Sequence, residues 1–173
     1  MHGERAIHRP LALGLFMNHW LVKSELDVYP FAQLVADGQT HWDGVRNYQA
    51  RNMMRDEMKL GDLVLFYHSN TKPPHVGGIA RVAREGYPDF TSWDSTSKYF
   101  DESSSPDAPR WFMVDLEPVI ETPLVSLDEL RSTPSLEGMA LLQRGQRLSV
   151  QPVSKAHFEE VLRMAGIQRD ELI

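Results

Sequence analysis

The run L-V-L-F-Y-H-S, Leu63–Ser69, constrains the fold of this chain more than any other segment. Its first residues are apolar without alternation, and it follows the turn-forming pair Gly61-Asp62. A continuous apolar run of this length is typical of a strand that is buried on both faces. The sequence therefore predicts a sheet with structure packed on each side, and the polar residues Tyr67, His68 and Ser69 mark the far end of this strand.

Four other segments have strand-like composition, namely residues 18–23, 79–84, 111–120 and 147–150. In the second of them, the apolar Ile79 and Val82 and the polar Arg81 and Arg84 favour a strand with one solvated face. Trp20 and Trp111 fall inside predicted strands, so we expect both to belong to the core.

The predicted helices are short and lie between the strands. Residues 30–36 have Pro30 in their first turn, and residues 48–60 begin after Asn47 as N-cap. Residues 134–142 begin with Pro134 at a first helical position and are followed by Gly145. Ser126 and Glu129 match a capping box, with Val125 and Leu130 as its hydrophobic staple. Ser154 caps a last helix with an apolar stripe of Phe158, Val161, Leu162 and Ala165, and Val153 with Phe158 as its staple.

Strands and helices alternate irregularly, without repeated βαβ units. This order predicts an α+β fold, in which a small twisted sheet or partly closed barrel carries helices at its periphery.

The segment W-D-G-V-R-N-Y-Q-A-R-N, residues 42–52, cannot be an ordinary core element. Val45 and Ala50 are its only aliphatic residues, whereas it holds two aromatic residues, two arginines, two asparagines and a glutamine. A buried strand or helix needs an apolar face, which this segment lacks. Asp43-Gly44 predicts a turn, so Trp42 is expected on the loop that enters a helix N-terminus.

The net charge of −6 argues against a protein that coats nucleic acid through charge alone. The charge is unevenly distributed, however. Residues 42–84 carry seven Lys/Arg against four Asp/Glu, whereas residues 85–137 carry three against twelve. A basic surface can therefore exist on this acidic chain. The absence of cysteine excludes disulfides and thiolate chemistry and agrees with a reducing cytoplasm.

The first 16 residues have neither the length of apolar sequence that spans a bilayer nor a cleavage site after their apolar run. We expect residues 1–16 to be an extension outside the fold and residues 17–170 to form a single domain. We expect a monomeric protein that does not associate with a membrane. We expect it in the cytoplasm of a bacterial-type cell, where association with the nucleoid is an option.

Catalytic and metal-binding motifs find little support in the sequence. The seven histidines do not form a ligand pattern, and no nucleophile elbow or phosphate-binding glycine loop is present. We therefore expect no metal and no cofactor. The remaining signal is a set of tryptophans and tyrosines with amide and guanidinium groups nearby, which is what a pocket for a planar heterocycle requires. A long acidic and Ser-rich loop covers residues 88–109, and it is either a lid over a binding site or a disordered insertion.

Five motifs identify a resemblance to the EVE domain family. They are W-L-V-K-S-E at residues 20–25, the segment at residues 42–52, G-D-L-V-L-F-Y-H-S at 61–69, G-G-I-A-R-V at 77–82 and Y-P-D at 87–89. The resemblance extends from about residue 18 to about residue 165. It implies a PUA-like fold, a small, mixed and mostly antiparallel β-barrel with short peripheral helices, and a reader of nucleic acid without established catalysis.

Relatives with this fold, the YTH and SRA readers, take a modified base that is flipped or unpaired into a pocket. Lys23-Ser24 and Trp42 are similar to the YTH pattern that builds this pocket, which implies that Trp42 stacks on the base and that Ser24 and the backbone at Lys23 read its edge. Trp93 lies in the region of the second aromatic wall. Glu25 stands where the YTH pattern has an asparagine, so the resemblance does not name the base.

We add three polar residues, Asn47, Tyr67 and Ser69, to the expected base-binding pocket. The expected contacts to the nucleic-acid backbone are Arg46, Arg51, Lys72 and Arg81. For Arg46 and Arg51 an equally supported alternative is an ion-pair network with Asp43 and Asp56.

The sequence thus predicts a non-catalytic module that reads a modified base in DNA or RNA through an aromatic-walled pocket. One alternative is an enzyme that uses Tyr67, His68 and Glu25 for acid–base chemistry on a modified nucleotide or small heterocycle. The other is a protein-interaction module that makes contact through residues 88–109.

Overall fold

A computed structural model describes residues 17–173, so the expectation about residues 1–16 lies outside the described residues. These residues form one six-stranded sheet in the order β2-β5-β4-β3-β1-β6. Strands β1 and β3 are parallel, and the other neighbours are antiparallel. The strands are β1 His19–Glu25, β2 Thr40–His41, β3 Leu63–Ser69, β4 His75–Pro88, β5 Phe112–Ser126 and β6 Val150–Val153.

The α+β class and the mixed, mostly antiparallel sheet are confirmed, but the predicted closure into a barrel is wrong. In the described chain β2 and β6 are the two edges of an open sheet. Closing a barrel requires the edge strands to pair along their length. With two residues in β2 and four in β6, these edges are too short for that. The long β4–β5 pair shifts its register at four points, and irregularities of this kind bend a strand locally.

Residues of β3 point alternately to two hydrophobic cores, as the apolar run predicts. The core that we call the α4-side core contains Leu65 of β3 together with Phe158, Val161 and Leu162. The second, which we call the cavity-side core, contains Phe66 of β3. Its other large members include Trp20, Phe31, Leu34, Met53, Met54, Met58, Met113 and Leu116. The sheet is therefore covered on both faces.

The helices are α1 Phe31–Asp37, α2 Tyr48–Asn52, α3 Leu127–Arg131 and α4 Lys155–Ala165. The predicted stripe of α4 is buried, and the Ser154 hydroxyl accepts a hydrogen bond from the His157 N–H at 3.1 Å. The capping box at α3 is also confirmed, because the Ser126 hydroxyl accepts from the Glu129 N–H and the Glu129 carboxylate accepts from the Ser126 N–H. Residues 134–142 form two 3₁₀ turns, Pro134–Leu136 and Ala140–Leu142, in place of one short helix.

The helix predicted over residues 48–60 is too long. Asn47 is the N-cap, as expected, but α2 continues at Met53–Glu57 as a π-helical turn that ends before residue 60. Met58 becomes extended while its N–H donates to the Met53 carbonyl at 2.9 Å. The chain then turns at Asp62, whose carboxylate accepts from the Lys59 N–H at 2.9 Å. The need to enter β3 at this point overrides local helix propensity.

Other boundaries differ by a few residues. The last strand is Val150–Val153, three residues later than predicted, because β6 pairs antiparallel with β1 from Val22↔Val150 to His19↔Val153. Trp20 and Trp111 are buried, with 4% and 6% of their surface exposed, although Trp111 lies just before β5. Within residues 17–173 no helix combines the length and apolar character that crossing a membrane requires.

Candidate functional site

A cavity of about 480 Å³ opens beside the cavity-side core. The end of β1, the segment before α1, the loop after β2 and the residues 88–109 loop line it. This loop therefore forms part of the cavity wall. Of the residues predicted for base binding, Trp42, Lys23 and Ser24 line the cavity, and Arg46 lines it as well.

Trp42 is held as a wall of this cavity by the core behind it. The backbone N–H of Trp42 donates to the Val114 carbonyl at 2.8 Å, which continues the pairing of β2 with β5. Its ring meets Phe66 edge to face, with centroids 5.4 Å apart, and lies 6.2 Å from Tyr29 in a similar arrangement. The indole is partly exposed and lines the cavity, so it presents an aromatic surface fixed by core contacts.

Tyr99 is the aromatic residue of the 88–109 loop that lines the cavity. Its ring packs against Gly44, where a Cβ would lie 2.5 Å from the ring, and Gly44 has a φ of +79°. Sequence analysis missed Tyr99 and assigned this role to Trp93, which the structure places outside the cavity lining in a 3₁₀ turn, Phe90–Trp93. The only signal was the turn glycine after Trp42, which leaves room for a ring.

Arg46 ties the loop that carries Trp42 to the loop that carries Tyr99. Its guanidinium donates to the Tyr99 carbonyl at 2.7 Å and to the Asp89 carboxylate at 2.9 Å. The Asp89 carboxylate also accepts from the Gly44 N–H at 2.9 Å. Its side chain is fully buried, so the pair is shielded from solvent. The ion partner of Arg46 is thus Asp89, and the alternative that paired it with Asp43 is wrong.

The pKa of Asp89 reflects this arrangement. Burial alone would raise the pKa of the carboxyl group. Hydrogen bonds from Thr91, from the Gly44 N–H and from Arg46 outweigh burial and lower the pKa. The carboxylate therefore stays charged and holds both loops together.

The end of β1 supplies the polar side of the cavity. The Ser24 hydroxyl donates to the Tyr29 carbonyl at 2.6 Å and so fixes the chain that leads into α1. The Lys23 N–H donates to the Ser149 carbonyl at 2.9 Å. Burial lowers the pKa of the Lys23 amine.

Three residues predicted for the pocket lie elsewhere. The Asn47 side chain caps α2 by accepting from the Ala50 N–H at 3.0 Å. Tyr67 belongs to the α4-side core. The Ser69 hydroxyl lies 3.5 Å from the Ser24 carbonyl and is not part of the cavity lining. The structure thus separates these residues from Trp42.

The predicted backbone contacts divide similarly. Arg81 donates to the Leu172 carbonyl at 2.6 Å and pairs with Glu117, and exposed Lys72 lies in the turn between β3 and β4. Neither residue lines the cavity. Arg51 makes no ion pair within residues 17–173, so the predicted pairing with Asp56 is not formed.

An aromatic and cationic layer, here called the outer stack, adjoins the cavity. It consists of Tyr48, Arg51, Arg110 and Trp111. Tyr48, which is 50% exposed, stacks on Trp111 with centroids 4.9 Å apart, and the Arg51 guanidinium lies 4.7 Å from the Tyr48 ring. Arg46 joins the two regions, since its guanidinium lies 5.4 Å from the Trp111 ring.

The residues named for acid–base chemistry are not brought together in the cavity. His68 Nε2 accepts from the Phe31 N–H at 3.1 Å, and its Nδ1 lies 3.2 Å from His75. Burial, followed by the charge of His75, lowers the pKa of His68 to about 4. Glu25 lines the cavity, but Tyr67 and His68 do not. In residues 17–173 no cluster of three or more His, Asp or Glu side chains is arranged to hold a metal ion.

The fold and the site define an α+β domain with an aromatic-walled cavity beside an open sheet. The profile of the EVE domain matches residues 18–164. The chain therefore belongs to the EVE domain family.

Known proteins agree with this assignment. The chain is 41% identical to human thymocyte nuclear protein 1, over 84% of this chain and 72% of that protein. A hypothetical protein from Leishmania major has a similar structure, with a TM-score of 0.83 and 45% identity over 87% of this chain and 96% of that one. The human THYN1 protein in complex with DNA containing 5-methylcytosine matches with a TM-score of 0.82 and 38% identity, over 88% and 99% of the two chains.

Proposed function

We propose that this protein is a non-catalytic reader of nucleic acid, which holds a modified base, flipped or unpaired, in the cavity between Trp42 and Tyr99. The observation that carries the proposal is the cavity itself, with an aromatic ring fixed on the loop after β2 and another on the 88–109 loop. Such rings stack on the faces of a planar heterocycle. The similar human THYN1 protein in complex with 5-methylcytosine-containing DNA supports a modified base in DNA as ligand, and RNA remains an arm of the test.

The outer stack is the proposed contact for the strand on either side of the bound base. Arg51 has two N–H groups committed to the Asn52 side chain and one to the Arg110 carbonyl at 2.9 Å. Because a guanidinium has five N–H donors, two remain for phosphate oxygens. The exposed Tyr48 ring offers a surface on which a neighbouring base can stack.

Arg46 has a different role in this proposal. Its guanidinium is engaged by Asp89 and by the Tyr99 carbonyl, so it positions the cavity wall and does not contact phosphate. We therefore assign the phosphate contacts to Arg51 and to exposed Lys98 at the cavity rim. With so few contacts and a net charge of −6, most of the discrimination has to come from the base.

The proposal is tested by titrating fluorescent oligonucleotides, single-stranded and duplex, DNA and RNA, with and without one modified base, at fixed salt. Trp42→Ala is expected to weaken binding of the preferred oligonucleotide by ~1–3 kcal/mol, because one stacking surface is lost. Trp93→Ala is the matched control, since it removes the same side chain outside the cavity lining. Thermal melts of both variants establish that they remain folded.

Two results would overturn the proposal. Equal affinity for modified and plain strands in every arm would leave only nonspecific attachment. Release of a chemically altered nucleoside during the incubation, detected by mass spectrometry, would replace the reader with an enzyme.

A further inference from the structure

We propose that Asp43 decides which bases the cavity accepts, by selecting a base that presents an exocyclic amino group, as cytosine and adenine do, over thymine and uracil. This inference rests on the proposed function, because it concerns the edge of the base held in the same cavity.

The position of Asp43 supports this role. The residue lies between Trp42, which forms one aromatic wall, and Gly44, against which Tyr99 packs, and it lines the cavity itself. Within residues 17–173 its carboxyl group forms no ion pair and accepts no hydrogen bond from another residue. Glu25, another cavity carboxylate, differs because it is exposed and already accepts from the Asn70 amide at 3.0 Å.

Three neighbouring polar side chains of the cavity, those of Ser24, Tyr29 and Arg46, are already committed to the protein. The Ser24 hydroxyl donates to the Tyr29 carbonyl, and the Tyr29 hydroxyl donates to Asp37 at 2.7 Å. The guanidinium of Arg46 is held by Asp89 and by the Tyr99 carbonyl. A base between the aromatic walls therefore meets Asp43, an acceptor to which no other residue of the described chain donates, beside these three occupied groups.

A half-buried acceptor requires a donor on the ligand. The N4 amino group of cytosine or the N6 amino group of adenine donates to a carboxylate, whereas thymine and uracil place a carbonyl oxygen at the corresponding edge. Two acceptors facing each other away from water lose the hydrogen bonds that each made in solvent. Burial, together with the charge of Asp89, raises the pKa of the Asp43 carboxyl, although His41 and Arg46 oppose this. A poorly solvated carboxyl gains more from a ligand donor.

Comparing 5-methylcytosine with thymine isolates the contribution of the base edge that carries the amino or oxo group. Thymine has the same ring and the same 5-methyl group as 5-methylcytosine, and the two differ only in the amino or oxo group and in the protonation of the ring nitrogen beside it. The probes are single-stranded oligonucleotides of one sequence that carry 5-methylcytosine, cytosine, N6-methyladenine, adenine, thymine or uracil at one central position. Single strands avoid the cost of breaking a base pair, which differs between these bases.

The native protein is expected to bind the 5-methylcytosine strand at least about tenfold more tightly than the thymine strand, as a hydrogen bond to a charged group implies. Asp43→Asn adds an amide N–H₂ that can donate to the thymine carbonyl, so the ratio should fall to about threefold or less. Asp43→Ala should weaken binding of 5-methylcytosine and relieve the acceptor–acceptor contact with thymine, so the ratio should fall in this variant as well. Asp107→Asn removes the same charge from an exposed residue outside the cavity and should leave the ratio unchanged.

The outcomes separate this inference from the proposed function. If the native protein binds a modified strand but does not distinguish 5-methylcytosine from thymine, or if Asp43→Asn keeps the native ratio, the role of Asp43 is disproved while the reader survives. If no strand in the panel binds, the proposed function fails and this inference fails with it. Melting temperatures of the three variants show that a changed ratio does not arise from unfolding.

Discussion

The two faces of the sheet are built differently. On the α4-side core, an amphipathic helix with capped ends covers the strands with Phe158, Val161 and Leu162. On the cavity-side core, methionines and aromatic rings pack against β3, but loops tied by the Arg46–Asp89 pair complete the cover. The apolar stripe of α4 covers the first face, whereas the second face leaves a cavity of about 480 Å³ lined by aromatic and charged residues. The proposed function uses the second face for binding, and we expect the first face to contribute mainly to stability.

The largest expected effect tests the α4-side core. Phe158 has no exposed surface, and truncating such a side chain leaves a cavity that its neighbours only partly fill. We expect Phe158→Ala to lower the free energy of unfolding by ~3–5 kcal/mol in a urea titration. At a temperature where the variant is folded, its affinity for the preferred oligonucleotide should equal that of the native protein. A loss of affinity that follows the loss of stability would remove the distinction between the two faces.

The second prediction uses one histidine from each face. His19 contacts Phe158 at 4.4 Å between ring centroids, and His68 contacts Phe66 at 5.4 Å. Burial is the main reason why the pKa of each is lowered to about 4, followed by Arg169 and Lys155 for His19 and by His75 for His68. Both histidines are therefore neutral in the folded protein at pH 6.5, where half of the unfolded histidines carry a proton.

A lowered pKa makes the unfolded state bind more protons between pH 6.5 and pH 4. The free energy of unfolding should thus be highest above pH 6.5 and should fall by up to roughly 2–3 kcal/mol per histidine as the pH approaches 4. Urea titrations at several pH values measure this loss. His19→Gln and His68→Gln should each reduce the slope over this range, and an unchanged slope in either variant would contradict the assignment for that face.

The third prediction concerns the packing of Tyr99 on Gly44. Gly44→Ala places a Cβ 2.5 Å from the Tyr99 ring at a φ of +79°, and so it should displace the ring from the cavity wall. Gly138→Ala is a close control, because Gly138 has a φ of +86° and no atom within 4 Å of the new Cβ.

Both variants carry the backbone strain of a left-handed residue, which costs about 1–2 kcal/mol in stability. Only Gly44→Ala is expected to weaken oligonucleotide binding as well. The expected loss of binding free energy is roughly 1 kcal/mol or more, which is what stacking on an aromatic side chain contributes. Equal affinities of the two variants in the anisotropy titration would show that the Tyr99 ring does not contact the ligand.

The smallest expected effect concerns charge. Arg51→Ala should reduce the slope of log affinity against log salt by about 1, because one phosphate contact is lost, and should leave the preference for the modified base unchanged. Arg163→Ala removes the same charge from exposed α4, where Arg163 pairs with Glu160, and should leave the slope unchanged. Equal slopes for Arg51→Ala and the native protein would exclude the outer stack as a phosphate contact.

Local patterns in the sequence determined much of the fold. The apolar run of β3, the capping box of α3 and the cap and stripe of α4 were predictable, because each depends on side chains within a few residues of one another. The place of Trp42 in a surface loop was predictable for a similar reason, since its neighbours have no apolar face to bury. The strand boundaries of β6 and the early end of α2 were not, because pairing with β1 and entry into β3 decide them.

The part of the cavity wall that Tyr99 forms was decided by tertiary structure. Arg46 holds Tyr99 at the cavity by donating hydrogen bonds to its carbonyl, although the two residues are 53 positions apart. The ion partner of Arg46 is Asp89, which lies 43 positions later in the chain. From the sequence, Trp93 was the expected second aromatic wall and Asp43 was one alternative partner of Arg46, because nothing local distinguishes these residues from Tyr99 and Asp89. Periodicity and capping report contacts along one element, whereas the closure of two loops over a cavity depends on hydrogen bonds between distant residues that leave no periodic trace in the sequence.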